Sequence, residues 1–369
     1  MKKRTVLFTI VIPENERRMR NKIWLLAFAL SVSGVACAQT VDYSVVSVPE
    51  ETGADFMKIT KSSDYVCMPQ VKRFGSKISW LTNRIIDISK DGKSVAFLSF
   101  RNDKTNIFIK DLALQGSSRQ RTNRSRVLDF SYSPDGKKIC FSETLGKNNQ
   151  VFLTDAEKGY VCRQVTSGNS DFSPIYSMSM KQIFFTRLEV KSSSIWAYDV
   201  ANNFVSSYAA GLNPYPLKDE SAFICARFNP DGRGEIWKIN YQTGQEDCIV
   251  SDPVHSYTSP VVSPDGKWIL FVGDGHLSNG NKTYMNTDIF VCRIDGTDFA
   301  QLTYHAADDI CPVWSIDGKY VYFISQRGDA DGTANIWRMK FLYYLKSATK
   351  PFNLLLACTC PLVTEFADN

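Results

Sequence analysis

Four arginines within eight residues, Arg119, Arg121, Arg124 and Arg126 in the run SSRQRTNRSR, are the densest recognition chemistry in the chain. A guanidinium presents a planar fork of donors that can grip a carboxylate or phosphate by two parallel hydrogen bonds. Four together read as an anion-binding loop or as a solvated polar one. The three histidines, His255, His276 and His305, form a second set, and Asp308 and Asp309 follow the last of them. Imidazole beside carboxylate suits a transition metal, though scattered loop histidines also occur without one. Asp171 and the tyrosines Tyr215, Tyr257, Tyr284 and Tyr304, all expected in loops, complete the candidate binding residues, the tyrosines as aromatic anchors or as rim packing. Gly328–Gly332, GDADG, opens like a calcium loop but lacks the third ligand and the distal glutamate. No G-x-S-x-G nucleophile turn is present, and Asp42, Glu50 and Asp64 make no recognisable acid/base pair. The chain therefore reads as a binding protein rather than an enzyme, with no cofactor required.

The elements that must position these groups are written as a repeat. Residues 86–97 (IDISKDGKSVAF), 130–141 (FSYSPDGKKICF), 260–271 (PVVSPDGKWILF) and 312–323 (PVWSIDGKYVYF) share one pattern: an apolar run, an Asp-Gly turn, and a run rich in β-branched and aromatic residues. This is a β-hairpin signature. Two decayed copies fill the long gap, Ser173–Phe185 with Ser179 at the turn and Tyr215–Cys225 with Asp219 there, so the spacings become 44, 44, 40, 46 and 52 residues. Each hairpin is followed by a third strand, such as Gln150–Thr154, and a fourth, such as Tyr160–Thr166 or Phe299–Thr303. Four short strands at this period predict an all-β, six-bladed β-propeller of four-stranded antiparallel blades. The orphan strand Asp55–Thr60 is expected to close the last blade, and Tyr65–Thr82 is available for a seventh. The variable loops should emerge on one face around the channel mouth and carry binding, while the Asp-Gly turns serve structure on the other. Gly273–Thr287 is the longest insertion, a lid or a tolerated loop.

Two adjacent segments, DGTDFAQLT at 295–303 and DICPVWSIDG at 309–318, resemble the repeat of TolB-like propellers, relatives of the WD-repeat propellers, and the similarity runs from about Phe56 to Met339. The resemblance implies a non-enzymatic envelope role of the Tol–Pal type, such as contact with a peptidoglycan-associated lipoprotein. TolB proper carries an α/β domain before its propeller, whereas about sixteen residues separate Ala38 from the first strand here. Oligogalacturonate lyases, also TolB-like, hold a metal by histidine at the channel mouth; their ligand motif finds no residue-by-residue match. The readings that follow are a propeller binding an envelope protein or polymer, a metal-assisted polysaccharide lyase, and a scaffold of an outer-membrane complex.

The ends frame this domain. A basic head at 18–22, the apolar run Ile23–Val35 and Ala36-Cys37-Ala38 predict a secretory signal peptide over 1–38, with translation starting at Met1 or Met19. Acylation of Cys37 is the alternative processing. The propeller is expected over 39–340 and an unassigned tail over 341–369. Residues 1–38 hold seven Lys/Arg and two Glu, which is the whole formal charge of +5; the remainder has 36 of each sign. A neutral exported chain offers no general footprint for nucleic acid. Residues 39–369 contain no run long enough to span a membrane. A periplasmic protein follows. Cys140, Cys225, Cys248 and Cys292 each sit alone in a predicted strand and are expected as buried free thiols.

Overall fold

The computed structural model describes residues 41–342, except 70–71, 75–76, 81–83, 114–115, 190–191, 275–277, 280–281 and 284–285. Residues 1–38, expected as a signal peptide, and nearly all of the tail lie outside the described residues. Among the described residues no helix is long and apolar enough to cross a membrane.

The Ser-x-Asp-Gly turns nucleate the architecture. At Ser89, Ser133, Ser263 and Ser315 the hydroxyl donates to the aspartate two residues on at 2.5–2.6 Å. That carboxylate also accepts the next lysine's N–H, at Lys93, Lys137, Lys267 and Lys319, at 3.0–3.1 Å. The serine oxygen in turn receives the first N–H of the outgoing strand at 2.9–3.0 Å. The glycine sits at φ of 69–75°, a region that a Cβ disfavours. In the decayed copies Met180 (φ 61°) and Glu220 (φ 55°) carry the left-handed backbone in its place.

Six antiparallel four-stranded sheets result. Blade I is Ile86–Ile88, Ser94–Arg101, Lys104–Asp111 and Arg119–Gln120; blade II is Val127–Tyr132, Lys138–Leu145, Asn148–Asp155 and Cys162–Gln164. Blade III comprises Ser170–Tyr176, Gln182–Leu188, Ser193–Asp199 and Phe204–Ala210, and blade IV Leu212–Pro216, Ala222–Phe228, Gly234–Asn240 and Glu246–Val250. Blade V is Tyr257–Val262, Trp268–Asp274, Thr287–Arg293 and Ala300–Gln301; blade VI is Asp309–Trp314, Tyr320–Ser325 and Asn335–Lys340, completed by Met57–Lys58. The first strands adjoin one another in order, and that of blade VI adjoins that of blade I, so the ring closes.

Closure uses the predicted N-terminal strand. Met57 and Lys58 pair with Arg338 and Trp337, Ile59 donates to the Ile336 carbonyl at 2.8 Å, and Lys340 donates to that of Ala54. The seventh blade is not formed: Lys72–Phe74 and Lys77–Trp80 make a two-stranded hairpin, too few strands to bury a blade's two faces. Phenylalanines fill the blades, with Phe141 stacked on Phe152 at 5.4 Å and Phe184, Phe223, Tyr208 and Tyr241 in mutual contact between blades III and IV. Cys140, Cys225 and Cys292 are buried free thiols, whereas Cys248 is exposed because its strand is the outermost of blade IV.

The innermost strands have one edge free toward the axis, and four of them bend there. Ser173-Pro174, Asn213-Pro214, Ser259-Pro260 and Cys311-Pro312 each place a left-handed residue (φ 52–62°) before a proline, at a shift of register. Proline lacks the donor a paired neighbour would need, so it fits only where no further strand adds.

Candidate functional site

Counting back from the turn aspartate aligns the six repeats and defines the wall of the central channel. One residue before the turn position lie Lys90, Pro134, Met178, Lys218, Pro264 and Ile316, and all six line one cavity. Each blade therefore contributes the same position to a rim on the face of the Asp-Gly turns. The cavity has a volume of about 400 Å³. Below the rim it is walled by the ends of the first strands, chiefly aliphatic (Ile88, Ile175, Val261, Val313) and aromatic (Tyr132, Trp314). The cavity thus opens on the face whose turns were expected to serve structure.

Arg84 lies farthest from the rim. It stands seven residues before Asp91, where the other repeats have Leu128, Phe172, Leu212, Thr258 and Ile310. The side chain is buried, its guanidinium 5.3 Å from the Tyr215 ring centre, and Nη2 donates to the Pro214 carbonyl at 3.0 Å. Nε and Nη1 have no hydrogen-bond partner among the described residues. Burial lowers its pKa, with Tyr215 and Asp87 opposing the change.

Two carboxylates flank it, Asp87 half-buried and Asp129 buried. Asp87 accepts the N–H groups of Ile88 (2.8 Å) and Tyr132 (2.9 Å), the second joining blades I and II. Burial pushes its pKa up to about 6. Asp129 accepts the Ser142 hydroxyl and the Ser173 N–H, and is raised by burial as well. Ser173 passes its hydroxyl on to Asn213 Oδ1 at 3.0 Å, so a polar chain links blades II, III and IV around the axis.

The residues singled out from the sequence lie elsewhere. Arg124 is engaged by Glu143 at 2.6 Å and lies over Phe152, and Arg121 donates to the Glu157 carbonyl of blade II. Arg119, in the outer strand of blade I, and Arg126 are exposed. The run thus passes from the outer edge of blade I to the inner strand of blade II. Asp171 is buried in a two-pronged pair with Arg187 at 2.7 and 3.0 Å. Tyr257 was expected in a loop but opens the inner strand of blade V, buried against Phe271, Phe290 and Phe299. Tyr215 likewise sits in an inner strand.

On the loop face, Arg327 is fully buried over the Phe56 ring, holds Glu51 at 3.0 and 3.1 Å, and pairs with Asp309. Tyr304 donates its N–H to Glu51 at 2.9 Å, and His305 Nδ1 accepts the Ala307 N–H at 2.9 Å. Burial, reinforced by Arg327, pushes the His305 pKa down to about 4. Asp308 accepts the Thr287 N–H and hydroxyl, both at 2.8 Å. The contacts of Arg327 and Tyr304 with Glu51, and of Arg327 with Phe56, hold the N-terminal segment. His255 is half-buried and lowered by burial, and His276 and Tyr284 lie outside the described residues. Among the described residues no three His, Cys, Asp or Glu side chains form a metal-holding group. In the Gly328–Gly332 loop Asp329 is taken by Lys58 and Asn335.

A family model of the TolB beta propeller domain matches residues 81–283. The fold is similar to TolB from Acinetobacter baumannii, with a TM-score of 0.55 and 20% identity over 68% of this chain and 64% of that one. The chain thus spans just under two thirds of that protein's length. It is also similar to a putative TolB from Agrobacterium tumefaciens (0.52, 15% identity, 72% of this chain and 93% of that one). An oligogalacturonate lyase from Vibrio parahaemolyticus is similar too (0.52, 12% identity, 82% and 95%). No curated protein matches by sequence.

Proposed function

The chain belongs to the TolB beta propeller domain family, and we propose on that footing that it is an exported, periplasmic, non-enzymatic binding module that receives an envelope protein or polymer at its channel. One observation carries this reading: a cavity framed by the same position of all six repeats, with a buried arginine at its far end whose donors are not all used. Propellers present ligands to such axial openings because every blade can contribute a side chain there. The segment Ile23–Ala38, an apolar run ending in Ala36-Cys37-Ala38, supports export.

The two faces can be told apart by retention from native envelopes. Lys90→Glu with Lys218→Glu alters the turn-face mouth, and Arg119→Ala with Arg126→Ala alters the loop face. Loss of a retained partner with the first pair alone is the expected result. Loss with the second pair alone would move binding to the loop face, and turnover of polyuronates by the purified protein would replace binding with lyase activity.

A further inference from the structure

The outermost strand of a blade has one side without a neighbouring strand, and five of the six are built against the addition of another. Those of blades I, V and VI, Arg119–Gln120, Ala300–Gln301 and Met57–Lys58, are two residues long, and that of blade II, Cys162–Gln164, is three. That of blade IV, Glu246–Val250, is longer but opens with Glu246 and Asp247. Shortness and charge are ordinary protections of a sheet edge.

Blade III has neither. Its outer strand, Phe204–Ala210, runs for seven residues, FVSSYAA, and from Val200 to Leu217 the chain contains no charged residue. The strand pairs on one side with Ser193–Asp199, and no described strand lies on the other. About three N–H and three C=O groups of such a strand face outward with no strand to receive them. Phe204 is 64% exposed, and Ser207 and Ala210 are exposed as well. Two features bound the open run. A bulge leaves Tyr208 without an opposite residue and sets its ring against Phe184 and Tyr241 at 5.5 and 6.0 Å, and the Ala210 carbonyl accepts from Arg227 Nε at 2.9 Å. Phe204–Ser207, in unbroken register with Trp196–Asp199, is the regular part of the edge.

The composition of the edge selects its occupant. A foreign strand is chosen by charge or by pockets for its side chains, and this edge carries no charge. A second copy meets it on equal terms. A two-fold axis normal to the sheet sets the strand antiparallel to itself about Ser206, with small and apolar side chains to either side and no like charges opposed. The strand lies at the circumference of the ring, so the neighbouring blades curve away and leave room for a second ring.

We propose that the outer edge of blade III joins two copies of this chain into one continuous antiparallel sheet. The contact is independent of the channel and of what binds there. A single strand edge is small against the about 1,200–2,000 Å² of a stable interface, so the dimer is weak and depends on concentration.

Sedimentation of the purified mature protein from about 1 to about 200 μM covers the range of such an interface, and a reversible monomer–dimer equilibrium is expected. Ser207→Lys, which brings like charges close to the axis, should raise the dissociation constant about tenfold or more. Cys248→Lys, the same charge on the outer strand of blade IV, should leave it unchanged. Circular dichroism and melting check that both variants fold. A second test introduces no charge. Ser206→Cys in a Cys248→Ser background sets two thiols at the axis, where opposed Cα atoms are about 4.5–5.5 Å apart, so oxidation should link two chains. Asn202→Cys in the same background, in the turn before the strand, should not link them. A monomer at every concentration, or a dimer that Ser207→Lys leaves intact, overturns the proposal. Capture of a different envelope protein by a monomeric wild type, lost on Ser207→Lys, would give the edge to a foreign strand and overturn it too.

Discussion

Asp87 and His305 are displaced from their ordinary protonation by the same cause, burial, with opposite consequences for stability. Asp87 has its folded pKa raised to about 6, so between about 4 and 6 the folded state holds more protons than the unfolded one and stability falls as pH rises. His305 has its folded pKa lowered to about 4, so its contribution is complete above about 6.5 and is lost as pH falls toward 4. The two slopes oppose each other over one window. We expect His305→Gln to make the protein relatively more stable at pH 4.5 than at 6.5, compared with wild type, and Asp87→Asn to steepen the acid loss. Urea midpoints at pH 4.5, 5.5 and 6.5 decide it, and parallel curves for all three proteins would refute the pairing. Neither residue's role could be read from the chain, because burial by distant blades creates both shifts. Arg84 was legible in principle: it is a charge at a register position that is mostly apolar in the other repeats, a signal visible once the copies are aligned on their turns.

At the scale of the element, the turns explain why so much of the fold was legible. Asp-Gly supplies both the side-chain acceptor and the left-handed backbone, so four hairpins announce themselves, and the decayed copies were recoverable from the long gap between them and from the apolar runs and turn residues they keep. The inner-strand bends were not, since a serine or asparagine before proline looks like an ordinary loop and only the free axial edge lets it sit in a strand. That misreading placed Tyr215 and Tyr257 on loops. The turns also yield a graded test. At Gly266 an added Cβ meets nothing within 4 Å, so Gly266→Ala should cost only the backbone strain, about 1–2 kcal/mol. At Gly136 it would lie 2.7 Å from the Lys90 Cβ, so Gly136→Ala should cost more and shift a rim lysine. Chemical denaturation of the two variants ranks them, and equal losses would show that the neighbouring blade yields freely.

For the molecule as a whole, the ionic cluster on the loop face decides whether the ring stays closed. Arg327 neutralises Glu51 and Asp309, while burial and Asp309 raise the pKa of the nearby Asp288 well above the ordinary carboxylate value. Arg327→Met would leave buried acidic groups without their cation, a change expected to cost about 3–5 kcal/mol. Because Glu51 belongs to the segment that leads into the closing strand, the loss should begin there. Limited proteolysis should cut near residues 42–60 before the blades unfold, and cutting elsewhere first would count against this role. The sequence showed the closing strand but not what anchors it: the contacts of Tyr304 with Glu51 and of Asp309 with Arg327 join residues far apart in the chain, and tyrosine and aspartate close together look alike in anchoring and in binding roles.

The same closure imposes an order in time. Glu51 and Arg327 are 276 residues apart, and Met57 pairs with Arg338 across almost the whole ring. Blade VI therefore stays incomplete until residue 340 has emerged, and its edge remains open for as long as synthesis takes. Loop closure over that distance makes completion a late step of folding, so a slow phase sensitive to Arg327 but not to Gly266 should dominate refolding. A chain stopped within blade VI would be left with five complete blades and an unpaired first strand, a form inclined to join another chain's edge.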